Sequence, residues 1–107
     1  MTTEFVLVDQ VSAGTTELFP AVPGKSYAVL NYVVVMAVAG TFAFQDGTDW
    51  MTGDMPMSIN SGVSANAGPR GLPGPHEAPL FETGRGRPLQ ITTTGGSAHG
   101  HVTAELR

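Results

Sequence analysis

Two histidines near the end of the chain, His99 and His101, have the residue type and spacing that come closest to a metal site. Residues two apart in a β-strand point to the same face, so the two imidazoles would lie side by side. With His76 or Glu105 they could ligate zinc, and in a symmetric oligomer a ring of them could hold an ion on the axis. Partly exposed strand histidines explain the pair more simply. We therefore expect no metal and no cofactor, with His99 and His101 as weak metal candidates.

Three aspartates, Asp46, Asp49 and Asp54, cluster around two glycines. Their spacing does not fit a calcium loop, which requires carboxylates at alternate positions and a closing glutamate. Aspartates that cap turns through their side chains explain the cluster more simply. We therefore interpret these residues as turn caps.

No arrangement of residues predicts catalysis. None of the serines lies in a Gly-x-Ser-x-Gly motif. Glu77 and Glu82 could form a carboxylate pair of the glycosidase type, but sequence spacing does not bring them together. Two arginines in the segment Gly84–Arg87 are typical of a solvated turn, or of a pair with a carboxylate such as Glu82. We expect a protein that is not an enzyme.

The composition indicates a small domain with an unusual surface. The chain has 107 residues, which is enough for one domain. Of these residues 41% are hydrophobic, which is enough for a core. Only 13% are charged, about half the usual share, which suits a surface covered by neighbours or a Gly-rich β domain with many turns. The net charge of −4 without a basic stripe argues against nucleic-acid binding. No basic segment precedes an apolar run at the N-terminus, so we expect synthesis in the cytoplasm without a secretory signal.

The apolar span Lys25–Gln45 is the centre of the predicted fold. It is too short and too interrupted for a membrane helix, and its β-branched and aromatic residues favour a pleated sheet. From Thr41 to Gln45 the two phenylalanines alternate with Thr, Ala and Gln, which is typical of a half-buried strand. The span predicts two strands joined at Ala39–Gly40, or one long strand bent there by a bulge.

Short strands and turns flank this span, and no run has helical spacing. The further predicted strands are Glu4–Gln10, Met55–Ile59, Leu80–Thr83, Pro88–Thr94 and His99–Leu106, with Glu17–Val22 as an edge segment or extended arm. The stretch Asn60–Pro79 contains four Gly and four Pro and predicts one long surface loop. We expect an all-β protein, an antiparallel β-sandwich of jelly-roll or Greek-key type with seven or eight short strands. Residues 1–24 would form an N-terminal strand and arm, and residues 25–107 the sandwich body.

The order of several segments resembles small structural proteins of tailed bacteriophage particles, over roughly residues 27 to 106. The segments are Gly40–Phe44, Trp50–Gly53 followed by Met55–Met57, then Leu80–Gly84, Leu89–Ile91 and Gly100–Val102. Met51 and Leu80 replace the Leu and Trp that are usual in this pattern, and the Pro/Gly-rich loop is longer than expected.

The resemblance is to capsid decoration, or cement, proteins. It implies a β-sandwich module, often a homotrimer, that binds the major capsid protein on the outer surface of the head and stabilises the virion. From the charge and the interrupted apolar span we expect no nucleic-acid or membrane partner. Contacts would come from the arms, the loop and the turn that carries the tryptophan, through Phe5, Leu7, Leu18, Phe19, Trp50, Leu72 and His76.

Two other functions fit some of the same residues. Trp50 with the turns from Asp46 to Asp54 could form the sugar site of a carbohydrate-binding module or a receptor-binding tip, although a buried core tryptophan is equally consistent. A cupin-like enzyme would instead use His99 and His101 on a metal.

Overall fold

A computed structural model describes residues 2–10, 13–47, 49–66 and 79–107, and these residues form nine strands and no helix. The strands are β1 Thr2–Gln10, β2 Gly14–Phe19, β3 Tyr27–Met36, β4 Gly40–Gln45, β5 Met55–Met57, β6 Ser61–Asn66, β7 Phe81–Glu82, β8 Leu89–Thr94 and β9 Ala98–Leu106. The all-β prediction is confirmed.

The strands build two antiparallel sheets that pack against each other. The first sheet has the order β1-β9-β3-β6, with β7 also paired to β3, and the second has the order β2-β8-β4-β5. The pairs are nested in the sequence, because β1 pairs with β9, β2 with β8, β3 with β6 and β4 with β5. The β9–β3 and β8–β4 pairings then complete each sheet. This is the strand order of a jelly roll.

The apolar span divides between the two sheets. Its first part is β3 in the first sheet and its second part is β4 in the second sheet, so the alternative with two strands is confirmed. Phe42 and Phe44 of β4 are fully buried and meet the ring of Tyr32 from β3, at centroid distances of 6.4 and 5.0 Å. Strand periodicity directs these alternating aromatics inward, and their contact joins the two layers.

Gly100 allows β9 and β3 to approach closely at the centre of the first sheet. A Cβ atom at this position would lie 1.8 Å from the carbonyl oxygen of Val33, and the residue has a φ of 147°. Only glycine fits this backbone conformation and this gap without strain.

The first 24 residues and the predicted loop both contain strands of the sandwich. β1 pairs with β9 along all nine of its residues, as the predicted first strand requires. β2 pairs with β8 at the edge of the second sheet, so Glu17–Phe19 follow the edge alternative and not the extended arm. β6 occupies part of the predicted loop and is the additional strand. Its Gly, Ser and Asn residues have low strand propensity, but pairing with β3 half-buries Val63 and Ala65 and overrides that preference.

Candidate interaction surface

The side chains that project away from the core of the first sheet form a surface that we call the outer face. Register alignment places its residues in three rows across β1, β9, β3 and β6. The rows are Phe5, Thr103, Asn31 and Asn66; then Leu7, His101, Val33 and Ser64; then Asp9, His99, Val35 and Gly62.

Large apolar side chains are exposed on the outer face. Phe5 is 61% exposed, Leu7 is 67% exposed and Val35 is 42% exposed. A sheet with one face in water normally alternates apolar inward residues with polar outward ones, so three outward apolar residues break the pattern. β1 and β3 lie about 10 Å apart with β9 between them, which brings these side chains into one neighbourhood. An apolar patch of this kind is typical of a surface that binds a partner.

The two predicted metal candidates both lie on the outer face, as strand periodicity predicted. The imidazole of His101 packs against the ring of Phe5 at a tilt, with ring centroids 5.3 Å apart. The Nδ1 atom of His99 lies 3.2 Å from Oδ1 of Asp9 on the neighbouring strand. Among the described residues no three His, Asp or Glu side chains converge in a way that could hold a metal ion. His99 and His101 therefore have separate partners within the sheet.

A groove of about 600 Å³ lies beside the apolar patch, over β3 between β6 and β9. Its lining includes Asn31, Val33, Ser64, Asn66 and His101. Amide, hydroxyl and imidazole groups supply both hydrogen-bond donors and acceptors, and among the described residues His101 is the one titratable side chain of the lining that is acidic or basic near neutral pH. A groove of this size and chemistry suits one uncharged polar side chain or a short segment of a partner.

Trp50 is exposed on a turn at the end of β4, where Gln45 and Trp50 form a bridge. Trp50 is 58% exposed, so it is not the buried core tryptophan that the sequence also allowed. It lies beside a groove of about 360 Å³ that Thr52, Gly53 and Asp54 also line. An exposed tryptophan beside a polar groove offers an apolar face for stacking.

Two of the aspartates next to Trp50, Asp46 and Asp49, lie beside the same arginine. Asp46 is buried and accepts hydrogen bonds from the backbone N–H of Asp49 at 2.8 Å and of Gly84 at 3.0 Å. Arg87 lies 3.6 Å from Asp46 and 3.1 Å from the carboxylate of Asp49. The interpretation of Asp46 as a turn cap is confirmed. The suggested arginine partner Glu82 instead lies near Arg107, at 3.6 Å.

Two of the predicted interaction residues belong to the core. Leu18 and Phe19 are buried, and Phe19 stacks on Tyr27 with centroids 5.0 Å apart. A register shift in β2 between Glu17 and Phe19 places these two apolar side chains inside, so they are corrected from contact residues to core residues. Leu72 and His76 lie outside the described residues.

Two tyrosines, Tyr27 and Tyr32, have raised pKa values, and both stabilise the fold. Burial raises the pKa of Tyr27, and the nearby carboxylates of Glu4 and Glu17 raise it further. Its hydroxyl donates a hydrogen bond of 2.7 Å to the carbonyl of Pro20, which ties the end of β2 to β3. Burial also raises the pKa of Tyr32. The hydroxyl of Tyr32 donates to Sδ of Met55 in β5 at 3.8 Å, so it is directed toward the second sheet.

Sequence reasoning identified Phe5 and Leu7 but missed the residues of the outer face on β3 and β6. β3 reads as a continuous apolar run, so its pattern does not reveal which residues face outward. The register with β9 assigns Val33 and Val35 to the outer face. The sequence does indicate β6 in one respect, because Gly62, Ser64 and Asn66 alternate with the apolar residues Val63 and Ala65.

Comparison with known proteins finds no protein-family model and no curated protein that matches this chain. No helix that could span a bilayer occurs in the part of the chain that the structure describes.

Proposed function

We propose that this chain is a non-enzymatic structural protein of a tailed-phage particle, a decoration protein that binds the major capsid protein on the outer surface of the head and stabilises it. The observation that carries the proposal is the apolar patch on the outer face, where Phe5 and Leu7 are largely exposed. A sheet face is a rigid surface, so it loses little conformational freedom when a partner covers it.

The segments that carry the resemblance to decoration proteins support the proposal through their places in the fold. Gly40–Phe44 lies in β4, Met55–Met57 is β5, and Leu89–Ile91 lies in β8, so these three segments form neighbouring strands of the second sheet. Gly100–Val102 lies in the centre of β9 in the first sheet. The shared segments thus build the sandwich body, and the outer face is left for contacts specific to this protein.

The chemistry of the outer face suits a protein partner. Phe5 and Leu7 provide apolar anchors of the kind that dominate binding energy at interfaces. The adjacent groove provides donors and acceptors that fix orientation. A shell repeats the same binding position by symmetry, so one complementary surface on the chain serves every site. A partner surface needs only an apolar area with polar groups around it.

Binding to particles that lack the protein tests the proposal. The purified chain is mixed with such particles and pelleted, and Leu7→Glu is compared with Trp50→Glu, which adds the same charge on the other sheet. We expect wild type and Trp50→Glu to sediment with the particles and to raise their resistance to heat, and Leu7→Glu to lose at least about tenfold in affinity. If the wild-type chain leaves both sedimentation and heat resistance of the particles unchanged, the decoration function is wrong.

A second candidate function is supported by Trp50 itself. Its exposed indole beside the polar groove of Thr52 and Asp54 has the chemistry of a sugar-binding site. Trp50 is the sole tryptophan of the chain, so its fluorescence reports on this site alone. Saturable quenching or a shift with cell-wall oligosaccharides, absent with glycerol, would favour this function over decoration.

A further inference from the structure

We propose that two copies of this chain pair edge to edge through β1, so that their first sheets join into one continuous sheet. β1 pairs with β9 along all nine residues from Thr2 to Gln10. No other described strand pairs with the opposite side of β1, which is therefore an edge strand. Such an edge presents backbone N–H and C=O groups that another strand can bind.

The other three edges of the sandwich carry features that oppose pairing. β5 has three residues and contains Pro56, which cannot donate to a further strand. β2 has a register shift between Glu17 and Phe19. β6 is six residues long, and its outward residues are Gly62, Ser64 and Asn66, which are small or polar. Natural edge strands are protected by short length, proline, bulges or polar side chains.

β1 lacks these protections in its centre. It is the longest of the four edge strands and pairs with β9 without a register shift. Its central segment Phe5–Val8 contains no charge, proline or glycine. Phe5 and Leu7 are the most exposed apolar side chains of the first sheet. A long, regular and apolar edge of this kind indicates a strand that is covered in the assembled protein.

A second copy fits this edge because the strand is self-complementary. Antiparallel pairing must place residues of the same face opposite each other, and the overlap is longest when Val6 faces Val6 of the second copy. Phe5 then faces Leu7 of the second copy, and Leu7 faces Phe5 of the second copy. The four exposed apolar side chains meet in one cluster on the outer face.

The charges of β1 are also compatible with this register. Glu4 falls opposite Val8 of the second copy, and Asp9 falls opposite Thr3, so no two carboxylates face each other directly. Like charges directly opposite across a strand pair would be destabilising. The acidic chains, with a net charge of −4 each, can therefore pair here without a local penalty from carboxylates in register.

The resulting dimer is isologous, because the same strand of each copy forms the interface. In this dimer the strands β1, β9, β3 and β6 of both copies form one sheet of eight consecutive strands. The two outer faces become one surface, with the apolar cluster at its centre. The inference does not depend on the decoration function, since it concerns the free chain. It differs from the homotrimer that the resemblance implies, and the molar mass in solution distinguishes the two.

The first test is the molar mass of the full chain by light scattering across a range of concentrations. We expect the mass of two chains for wild type at high concentration, and of one chain for Phe5→Lys/Leu7→Lys. Trp50→Lys, with a new charge on the other sheet, should remain a dimer. A wild-type mass of one chain or of three chains at every concentration overturns the inference.

Cysteine substitution tests the register, since the natural chain contains no cysteine. Val6→Cys places a thiol beside its own copy on the twofold axis, so mild oxidation should give a disulfide-linked dimer on a non-reducing gel. Glu4→Cys lies two residues away on the same side of β1 and should remain largely unlinked. Equal linkage of both variants, or linkage of Glu4→Cys alone, overturns the register proposed for β1.

Discussion

The ring of Phe5 packs against the imidazole of His101 in a tilted arrangement, with centroids 5.3 Å apart and an angle of 30° between the planes. Phe5 lies on the edge strand β1, and His101 lies on β9 directly opposite Leu7 and Val33. The imidazole therefore supports the aromatic ring diagonally and connects the apolar side chains of β1 to those of β3. An exposed anchor held in place in this way loses less side-chain freedom on binding than a free one.

Replacing His101 should weaken binding to particles without unfolding the chain. In His101→Ala the Phe5 ring loses its support, and an aromatic pair contributes about 0.5–1.5 kcal/mol. We expect a loss of about two- to tenfold in affinity in the sedimentation titration. His99→Ala is the matched control, because His99 lies two residues away on the same face and contacts Asp9 instead. An equal loss for both variants would show that the pair with Phe5 has no special part in binding.

Replacing Asp46 should destabilise the fold. Asp46 is buried and accepts hydrogen bonds from the N–H groups of Asp49 and Gly84. Asp46→Ala removes the charged acceptor of both part-buried hydrogen bonds, and a hydrogen bond to a charged group contributes about 1.5–3 kcal/mol. We expect the free energy of unfolding in urea to fall by about 2–4 kcal/mol.

Asp49→Ala is the control for this experiment. It removes the 3.1 Å ion pair with Arg87 but keeps the hydrogen bond from the backbone N–H of position 49 to Asp46. An exposed pair contributes at most about 1 kcal/mol, so this variant should remain close to wild type. A similar loss in both variants would mean that the turn is stabilised by its ion pairs and not by the hydrogen bonds of Asp46.

Strand periodicity explains how much of the fold could be predicted. The alternation of Leu89, Ile91 and Thr93 predicted a half-buried strand, and all three are buried in β8. The break at Ala39–Gly40 predicted either two strands or one bent strand, and the separation of β3 and β4 into different sheets decides for two. β6 was missed because Gly, Ser and Asn have weak strand propensity, and the pairing with β3 that stabilises them is not a local signal.

The outer face could be predicted only in part, for a similar reason. Phe5 and Leu7 alternate with Val6 and Val8, but all four are apolar, so the sequence does not indicate which pair faces outward. The opposite case is Phe19, an apolar residue near a proline in the segment predicted as an edge or an extended arm and proposed as a contact residue. The register shift in β2 that places it beside Tyr27 arises from the pairing with β8. The outward orientation of Phe5 and Leu7 and the burial of Phe19 both depend on the register between strands that are distant in the sequence. A short sequence pattern does not contain that register.

The stability of the protein should fall above about pH 10. Tyr27 and Tyr32 have pKa values raised above the ordinary 10.0 in the folded state, mainly through burial. The folded chain therefore keeps these protons at pH values where the unfolded chain has lost them. Their contribution is fully present below pH 10 and is lost as the pH rises toward the folded-state pKa values, by at most about 1.4 kcal/mol per pH unit for each tyrosine.

Urea unfolding at pH 8, 10 and 11 measures this dependence. The chain has two tyrosines, so Tyr27→Phe/Tyr32→Phe removes all phenolic groups. We expect this variant to be less stable at pH 8, because the hydrogen bond from Tyr27 to Pro20 is lost, but to show a smaller decrease between pH 10 and 11. An equal decrease in both proteins would assign the alkaline sensitivity to other groups.

Gly100→Ala should prevent stable pairing of β9 with β3. The new Cβ would lie 1.8 Å from the carbonyl oxygen of Val33, and the φ of 147° would strain any side chain. The two strands would have to separate at the centre of the first sheet, which we expect to cost at least about 3 kcal/mol in urea unfolding. Gly53→Ala is the control, because a Cβ there meets no atom within 4 Å, and its stability should change by less than about 0.5 kcal/mol. A Gly100→Ala protein as stable as Gly53→Ala would mean that β9 and β3 are farther apart than the structure places them.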